Sequence, residues 1–94
     1  MTTAFDLVVA RVVAAEPHPG ARAPSYLVTL DLGGRGPRET TLPAGDYDAS
    51  ELQGRQVVCL LEGEEITVLA ARARGRGIVL LRPDREVDVG TPVA

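Results

Sequence analysis

Arg72-Ala73-Arg74-Gly75-Arg76 sets three arginines at alternate positions. Successive side chains of an extended segment point to opposite faces, so all three guanidinium groups would project to one side. Three such groups close together can fork onto phosphate or carboxylate oxygens. Against them stand Glu62, Glu64 and Glu65 in the preceding turn signal, which would offset the arginines if both were part of one solvated surface. Arg38 is a further base that an extended segment could present to phosphate.

The residues that could do catalysis are few and scattered. His18 is the sole histidine and lies between Pro17 and Pro19, with no cysteine near it in sequence. A Ser-His-acid or His-metal constellation needs partners that the chain does not offer. Asp46, Asp48 and Glu51 have the character of helix-capping residues, and Glu62, Glu64 and Glu65 that of a solvated hairpin. Cys59 is the only cysteine and sits in the apolar run Gln56 to Leu61, so it reads as a buried apolar side chain. The reading is of a binding protein and not an enzyme, with no metal and no cofactor.

Composition narrows the partners. Thirteen acids against ten bases give a net charge of −3, whereas domains that grip phosphate backbones are usually strongly basic. Any contact with RNA must therefore be local. All ten bases are arginine and asparagine is absent, a pattern of GC-rich coding, so the preference for arginine is no sign of selection for phosphate. The apolar runs are far shorter than the roughly 20 residues of a spanning helix. The start, Met1 to Asp6, has neither a basic region nor a long apolar region of a secretory signal. A cytoplasmic location with no membrane partner is the expectation.

The elements that would carry these residues are strands. Phe5 to Glu16 reads as a long first strand, with Phe5, Leu7, Val9, Val13 and Ala15 on one face and Asp6, Val8, Ala10, Val12 and Ala14 on the other. Arg11 interrupts the first face, and apolar character on both faces suits a barrel strand that bends. After the turn Pro17-His18-Pro19-Gly20, Pro24 to Leu32 forms strand two, placing Tyr26, Val28, Leu30 and Leu32 on one face. The turn at Gly33-Gly34-Arg35-Gly36-Pro37 leads to a short third strand, Arg38 to Leu42. Asp48 and Glu51 have capping-box spacing for a short helix that Gly54 can end. Strand four is Gln56 to Leu61, strand five Glu65 to Ala71, and a further strand Ile78 to Leu81 precedes the turn at Pro83 and the tail Val87 to Ala94. Val8, Val12, Val79 and Leu81 are apolar residues that could be left for a partner. Residues 1–94 are expected to form a single domain.

The run Val9 to Tyr26 contains Glu16-Pro17-His18-Pro19-Gly20-Ala21-Arg22-Ala23-Pro24-Ser25-Tyr26. It resembles the pattern V-G-x-[IV]-V-x-V-E-x-x-P-x-A-R-x-P-S-Y of the tRNA-binding-domain family, in particular its CsaA-type export chaperones. The resemblance resumes at Leu52 to Val58 and at Val79 to Val87, which includes Pro83, Asp84 and Arg85, and covers roughly half the chain. It implies an all-β, five-stranded OB-fold barrel with one short helix between strands three and four and an extended C-terminal segment. It also implies a homodimer that binds tRNA or, in the CsaA-like branch, unfolded or exported polypeptide. A degenerate structural or dimerisation domain is a third reading.

Three departures from the family accompany this likeness. Thr40-Thr41-Leu42-Pro43 replaces a segment resembling S-A-Q-[IL]. The long connection N-F-P-P-x-x-[IM]-x-x-x-x-S-E-V-L is compressed to Leu61 to Ile66, where only Glu65 matches the Ser-Glu pair. Val8 stands where the family has arginine. With those features changed, RNA contact is expected at Arg72, Arg74, Arg76 and Arg38, and dimer contact over Ile78 to Val93.

Overall fold

The computed structural model describes residues 5–75 and 77–93. Seven strands form, in chain order β1 (Phe5–Pro17), β2 (Ser25–Asp31), β3 (Pro37–Pro43), β4 (Gln56–Glu62), β5 (Glu65–Val68), β6 (Ala70–Ala73) and β7 (Gly77–Leu80), with a short helix α1 (Ala49–Leu52) between β3 and β4. Strands one to five make one antiparallel sheet in the order β3-β2-β1-β4-β5, and β6 and β7 form a separate hairpin. The sheet curls until its edges nearly meet. Thr40 Oγ1 donates to the Ile66 carbonyl at 3.1 Å and Arg38 Nη1 to the Glu64 carbonyl at 3.2 Å, so side chains draw β3 and β5 together. This is the all-β OB-type barrel that the sequence implied.

β1 is the organising strand. Residues 5–11 pair with β4 and residues 11–17 with β2. The register slips between Val12 and Ala14, a bulge that bends the strand from one partner to the other. The bulge corrects the simple alternation read from the sequence. Val8, Ala10 and Val12 point into the core, and beyond the slip it is Ala15, not Ala14, that continues the buried row, while Val13 is half exposed. Val8 and Val12 are thus core residues and not surface available to a partner. Strand two follows its expected pattern, with Val28, Leu30 and Leu32 buried and Tyr26 packed against the same cluster. Leu42, Leu52, Val57, Cys59 and Leu61 complete that cluster.

The helix turn is held as its spacing predicts, since Glu51 Oε1 accepts the Asp48 N–H at 2.7 Å. Asp46 takes no part in that cap. Strand five is shorter than the sequence reading, because Leu69 is a junction: its N–H donates to Val58 of β4, and its carbonyl accepts from Leu81. The chain therefore leaves the barrel after Val68 and starts the β6–β7 hairpin.

The segment after β7 returns as a strap along the part of β1 that β2 does not cover. Val9 N–H donates to Thr91, Gly90 N–H to Val9 and Val93 N–H to Leu7, at 2.7–2.9 Å. The buried amide of Gln56 clamps the strap from below, accepting the Val87 N–H at 3.0 Å and donating to the Val87 carbonyl. Two glycines permit the close approach. A Cβ on Gly33, whose φ is +69°, would stand 2.8 Å from the Val89 carbonyl oxygen, and one on Gly90, at φ +86°, would stand 3.0 Å from that of Leu32.

Two predictions follow from this packing. Gly33→Ala combines left-handed strain with a backbone clash and should cost at least about 2 kcal/mol, lowering the melting midpoint by about 8–16 °C. Gly34→Ala, with nothing within 4 Å and no positive φ, is the control and should leave the midpoint unchanged. Equal losses from both variants in thermal melts would refute the strap contact.

The second concerns Cys59, whose burial pushes its thiol from 9.0 up to about 12. The folded state keeps its proton where the unfolded chain releases it, so this contribution to stability is intact below about pH 9 and is lost as pH rises toward 12. Alkylation at pH 8 should consequently be far slower in the native protein than in urea, and equal rates would show that the thiol is not buried.

Candidate nucleic-acid interface

The β6–β7 hairpin is anchored to the barrel by packing and by a hydrogen bond. Ile78 and Leu80 pack against the barrel core. Tyr47, from the turn before α1, accepts the Leu80 N–H on its hydroxyl at 2.9 Å, and its own carbonyl accepts the Tyr26 hydroxyl at 2.7 Å. The Arg55 guanidinium lies over the Tyr47 ring, 5.5 Å from its centroid, and Arg55 Nε donates to the Glu51 carbonyl. These contacts tie the hairpin to β2 and to α1.

Arg72 lies on β6 opposite Ile78, and Arg74 is in the turn that follows. Both are exposed, and Arg72 shares the ribbon face of its cross-strand partner Ile78 and of Leu80. Neither forms an ion pair with any described acid. Arg76 lies outside the described residues. Asp46 and Glu51 share a hollow with Ile78 and Val79 of β7, whereas Glu62 and Glu65 pair across the turn end of the β4–β5 ribbon, with Glu64 in its turn. Arg38 is at that acidic end, engaged with the Glu64 carbonyl, and does not join Arg72 and Arg74.

The outer face of β2 and β3 carries Thr29, Glu39 and Thr41, and the adjoining face of β1 carries Glu16. Its one arginine, Arg11 opposite Asp31, is engaged with Glu86, and the carboxylates make the face a poor match for phosphate. Thr40, in the place of the family's S-A-Q segment, has its hydroxyl engaged at the barrel seam, and Leu42 is buried.

The family-motif residues of the β1–β2 loop form a cleft. Pro17, His18, Ala21, Arg22, Pro24, Ser25, Tyr26 and Ala44 line about 460 Å³ of it. The loop is held by its backbone: His18 N–H donates to Ser25, Ala21 N–H to His18 and Ala44 N–H to Pro24. Ser25 Oγ donates to the Ala23 carbonyl. Arg22 is exposed and pairs with no described acid. His18 Nδ1 is sealed from solvent and has no hydrogen-bond partner.

Pro83, Asp84 and Arg85 open the strap. Arg85 and Asp84 approach to 4.0 Å at nearly full exposure, a contact worth little. Arg11 is better placed, 2.9 Å from Glu86 and donating to the Gly54 carbonyl. Val79, Leu81, Val87 and Val93, on the hairpin and strap, are large apolar residues left exposed. Among the described residues no cluster of His, Cys, Asp and Glu could hold a metal ion, and no helix is long and apolar enough to cross a membrane.

Sequence reasoning did not find the roles of Tyr47, Arg55 and Gln56, all of which act through contacts distant in the chain. For His18 a signal was available: a lone histidine fixed between prolines has a restricted orientation.

No family model matches the chain. Along 95% of its length it is 36% identical to a methionine–tRNA ligase of Pyrococcus furiosus, and it spans 13% of that ligase. Among solved structures it resembles the chaperone CsaA of Bacillus anthracis, with a TM-score of 0.83 and 26% identity, covering 96% of this chain and 91% of that one. It also superposes on the CsaA chaperone protein of Picrophilus torridus, with a TM-score of 0.86 at 22% identity over 97% and 92% of the two chains, a likeness of fold. By the order of its motifs and by these likenesses the chain is similar to the tRNA-binding-domain family and has the OB-type barrel of the CsaA chaperones, with β4 and β5 joined by the short Gly63-Glu64 turn.

Proposed function

We infer that the chain is a non-catalytic binding module that takes tRNA through phosphate contacts at Arg72, Arg74 and Arg76. The observation that supports this reading is the pair of exposed arginines on an anchored hairpin, neither of them in an ion pair with a described acid, in a molecule of net charge −3. In such a molecule a local cationic surface has a job that solubility does not explain. Likeness to a methionine–tRNA ligase supports tRNA as the class of RNA. Arg38, held at the acidic end of the barrel, has at most a peripheral part. A cytoplasmic location fits this role.

Changing Arg72, Arg74 and Arg76 together to Ala should abolish retardation of bulk tRNA while leaving the melting midpoint within about 2 °C, because solvated loop arginines contribute little to stability. Affinity of the wild type should fall with salt at a log–log slope of about −0.7 for each single-strand phosphate contact. Wild-type protein that fails to retard tRNA at low salt would sink the reading.

A second reading, a polypeptide-binding homodimer, is favoured by the exposed Val79, Leu81, Val87 and Val93 and by the likeness to CsaA chaperones. Binding to apolar peptide would change little with salt. Sedimentation at micromolar concentration should give twice the 9.9 kDa chain mass, and Leu81→Asp should shift it to monomer. A wild-type monomer would remove the dimer.

A further inference from the structure

We propose that Tyr47 is the positioning residue of the arginine hairpin: its hydroxyl, by accepting the Leu80 N–H, sets how β6 and β7 stand against the barrel and so where Arg72 and Arg74 meet phosphate. This rests on RNA as the ligand of the hairpin, inferred above, and gives an uncharged residue a share of the binding strength.

The ribbon needs such a fixture. β6 and β7 form a two-stranded sheet of their own, and a hairpin alone is marginally stable in water. Backbone bonds tie it to the barrel at its base, where the Leu69 N–H donates to the Val58 carbonyl at 2.9 Å and the Val58 N–H to the Leu81 carbonyl at 3.2 Å. Within the ribbon the Leu81 N–H donates to the Leu69 carbonyl. Successive amides of a strand point to opposite edges, so the Leu80 N–H faces away from β6. There it meets the Tyr47 hydroxyl at 2.9 Å. Ile78 and Leu80 also pack on the barrel core, but apolar packing is non-directional and fixes depth more than tilt. A hydrogen bond has a preferred length and angle, and this one sets the tilt.

Tyr47 can hold the ribbon because it is itself held. Its N–H donates to the Ala44 carbonyl at 3.0 Å, its carbonyl accepts the Tyr26 hydroxyl at 2.7 Å, and the Arg55 guanidinium lies 5.5 Å from its ring centroid. Tyr26, Tyr47 and Leu80 thus make a relay from β2 in the barrel to β7. The turn that carries Tyr47 also abuts the ribbon, since a Cβ on Gly45 would stand 3.1 Å from the Ile78 side chain. From Leu80 the arginines are one step away. Arg72 faces Ile78 across the ribbon, so it stands diagonal to Leu80 on the same face, about 7–8 Å away for such a pair. Arg74 follows in the turn. A ribbon free to tilt at Leu80 carries both arginines with it, and they must be ordered again at each binding event, whereas a tethered ribbon presents them already placed.

The test uses the full chain and bulk tRNA. Tyr47→Phe keeps the ring, the Arg55 contact and both backbone bonds, and deletes only the bond to Leu80. It should weaken tRNA binding at low salt about fivefold, the ratio that one hydrogen bond of ordinary strength carries. Exchange of the Leu80 amide should quicken, while the amides of Leu30 and Val57 keep their wild-type rates. A merely structural tyrosine would lower the melting midpoint and leave the salt dependence alone; here wild type and variant should converge as salt weakens the phosphate contacts. The losses from Tyr47→Phe and Arg72→Ala should also be non-additive, with the double variant within about twofold of Arg72→Ala alone. Tyr26→Phe, which frees the Tyr47 carbonyl and keeps its hydroxyl, is the second variant and should shift affinity and Leu80 exchange in the same direction. Wild-type affinity in Tyr47→Phe, unchanged exchange at Leu80, or fully additive losses with Arg72→Ala would overturn the positioning role and leave the arginine hairpin as the RNA contact. A wild type that does not retard tRNA overturns the hairpin reading itself, and this role with it.

Discussion

β1 must find hydrogen-bond partners along both edges, and it is longer than either of its neighbours. A buried N–H or carbonyl without a partner is costly, so each stretch of edge dictates what lies beside it. β4 takes residues 5–11 on one edge and β2 takes 11–17 on the other. At the crossover, Val12 donates to Arg55 and accepts from Gly54, which fixes the exit of α1 onto the barrel. The other edge near Val9 is left bare, and only the C-terminal strap fills it. The bulge, the short helix and the strap are three answers to one requirement.

The strap in turn sets what the surface can do. Running it beside β1 requires the β2–β3 turn to pass within van der Waals contact, hence the glycines at 33 and 90. Getting the chain from the barrel to the strap requires the excursion through β6 and β7, which starts where Leu69 bridges Val58 and Leu81. The arginines ride on that excursion. Their hairpin is therefore a by-product of closing the barrel, and its rigidity comes from Tyr47, a residue far away in sequence.

Strand two, the capping of α1 by Glu51 and the Glu62–Glu65 hairpin were legible because period-two alternation, capping spacing and a Gly in a two-residue turn are local signals. The slip at Val13 was not. Ala14 and Ala15 are the same residue type, so the pattern is silent about which one faces inward, and only pairing with β2 decides it. Leu69 reads as one more apolar residue of a strand, and its role as a junction depends on Val58 and Leu81. The motif Arg22 to Tyr26 marked a loop of interest, yet the cleft needs Ala44 as its far wall, which no spacing rule supplies.

The short β4–β5 turn gives the last step. Here the seam is occupied by the protein's own side chains, Thr40 on Ile66 and Arg38 on Glu64, under a cap of three glutamates. Charge at that end repels phosphate, and screening over about 8–10 Å keeps its field from cancelling the arginines across the barrel. Glu62, Glu64 and Glu65 thus gather at the seam end, whereas Arg72 and Arg74 lie on the β6–β7 hairpin, in a chain whose net charge is −3. Gly63 and Glu64 keep the β4–β5 connection to a two-residue turn, so the seam is closed by Thr40 and Arg38 on the carbonyls of Ile66 and Glu64 and by no further length of chain.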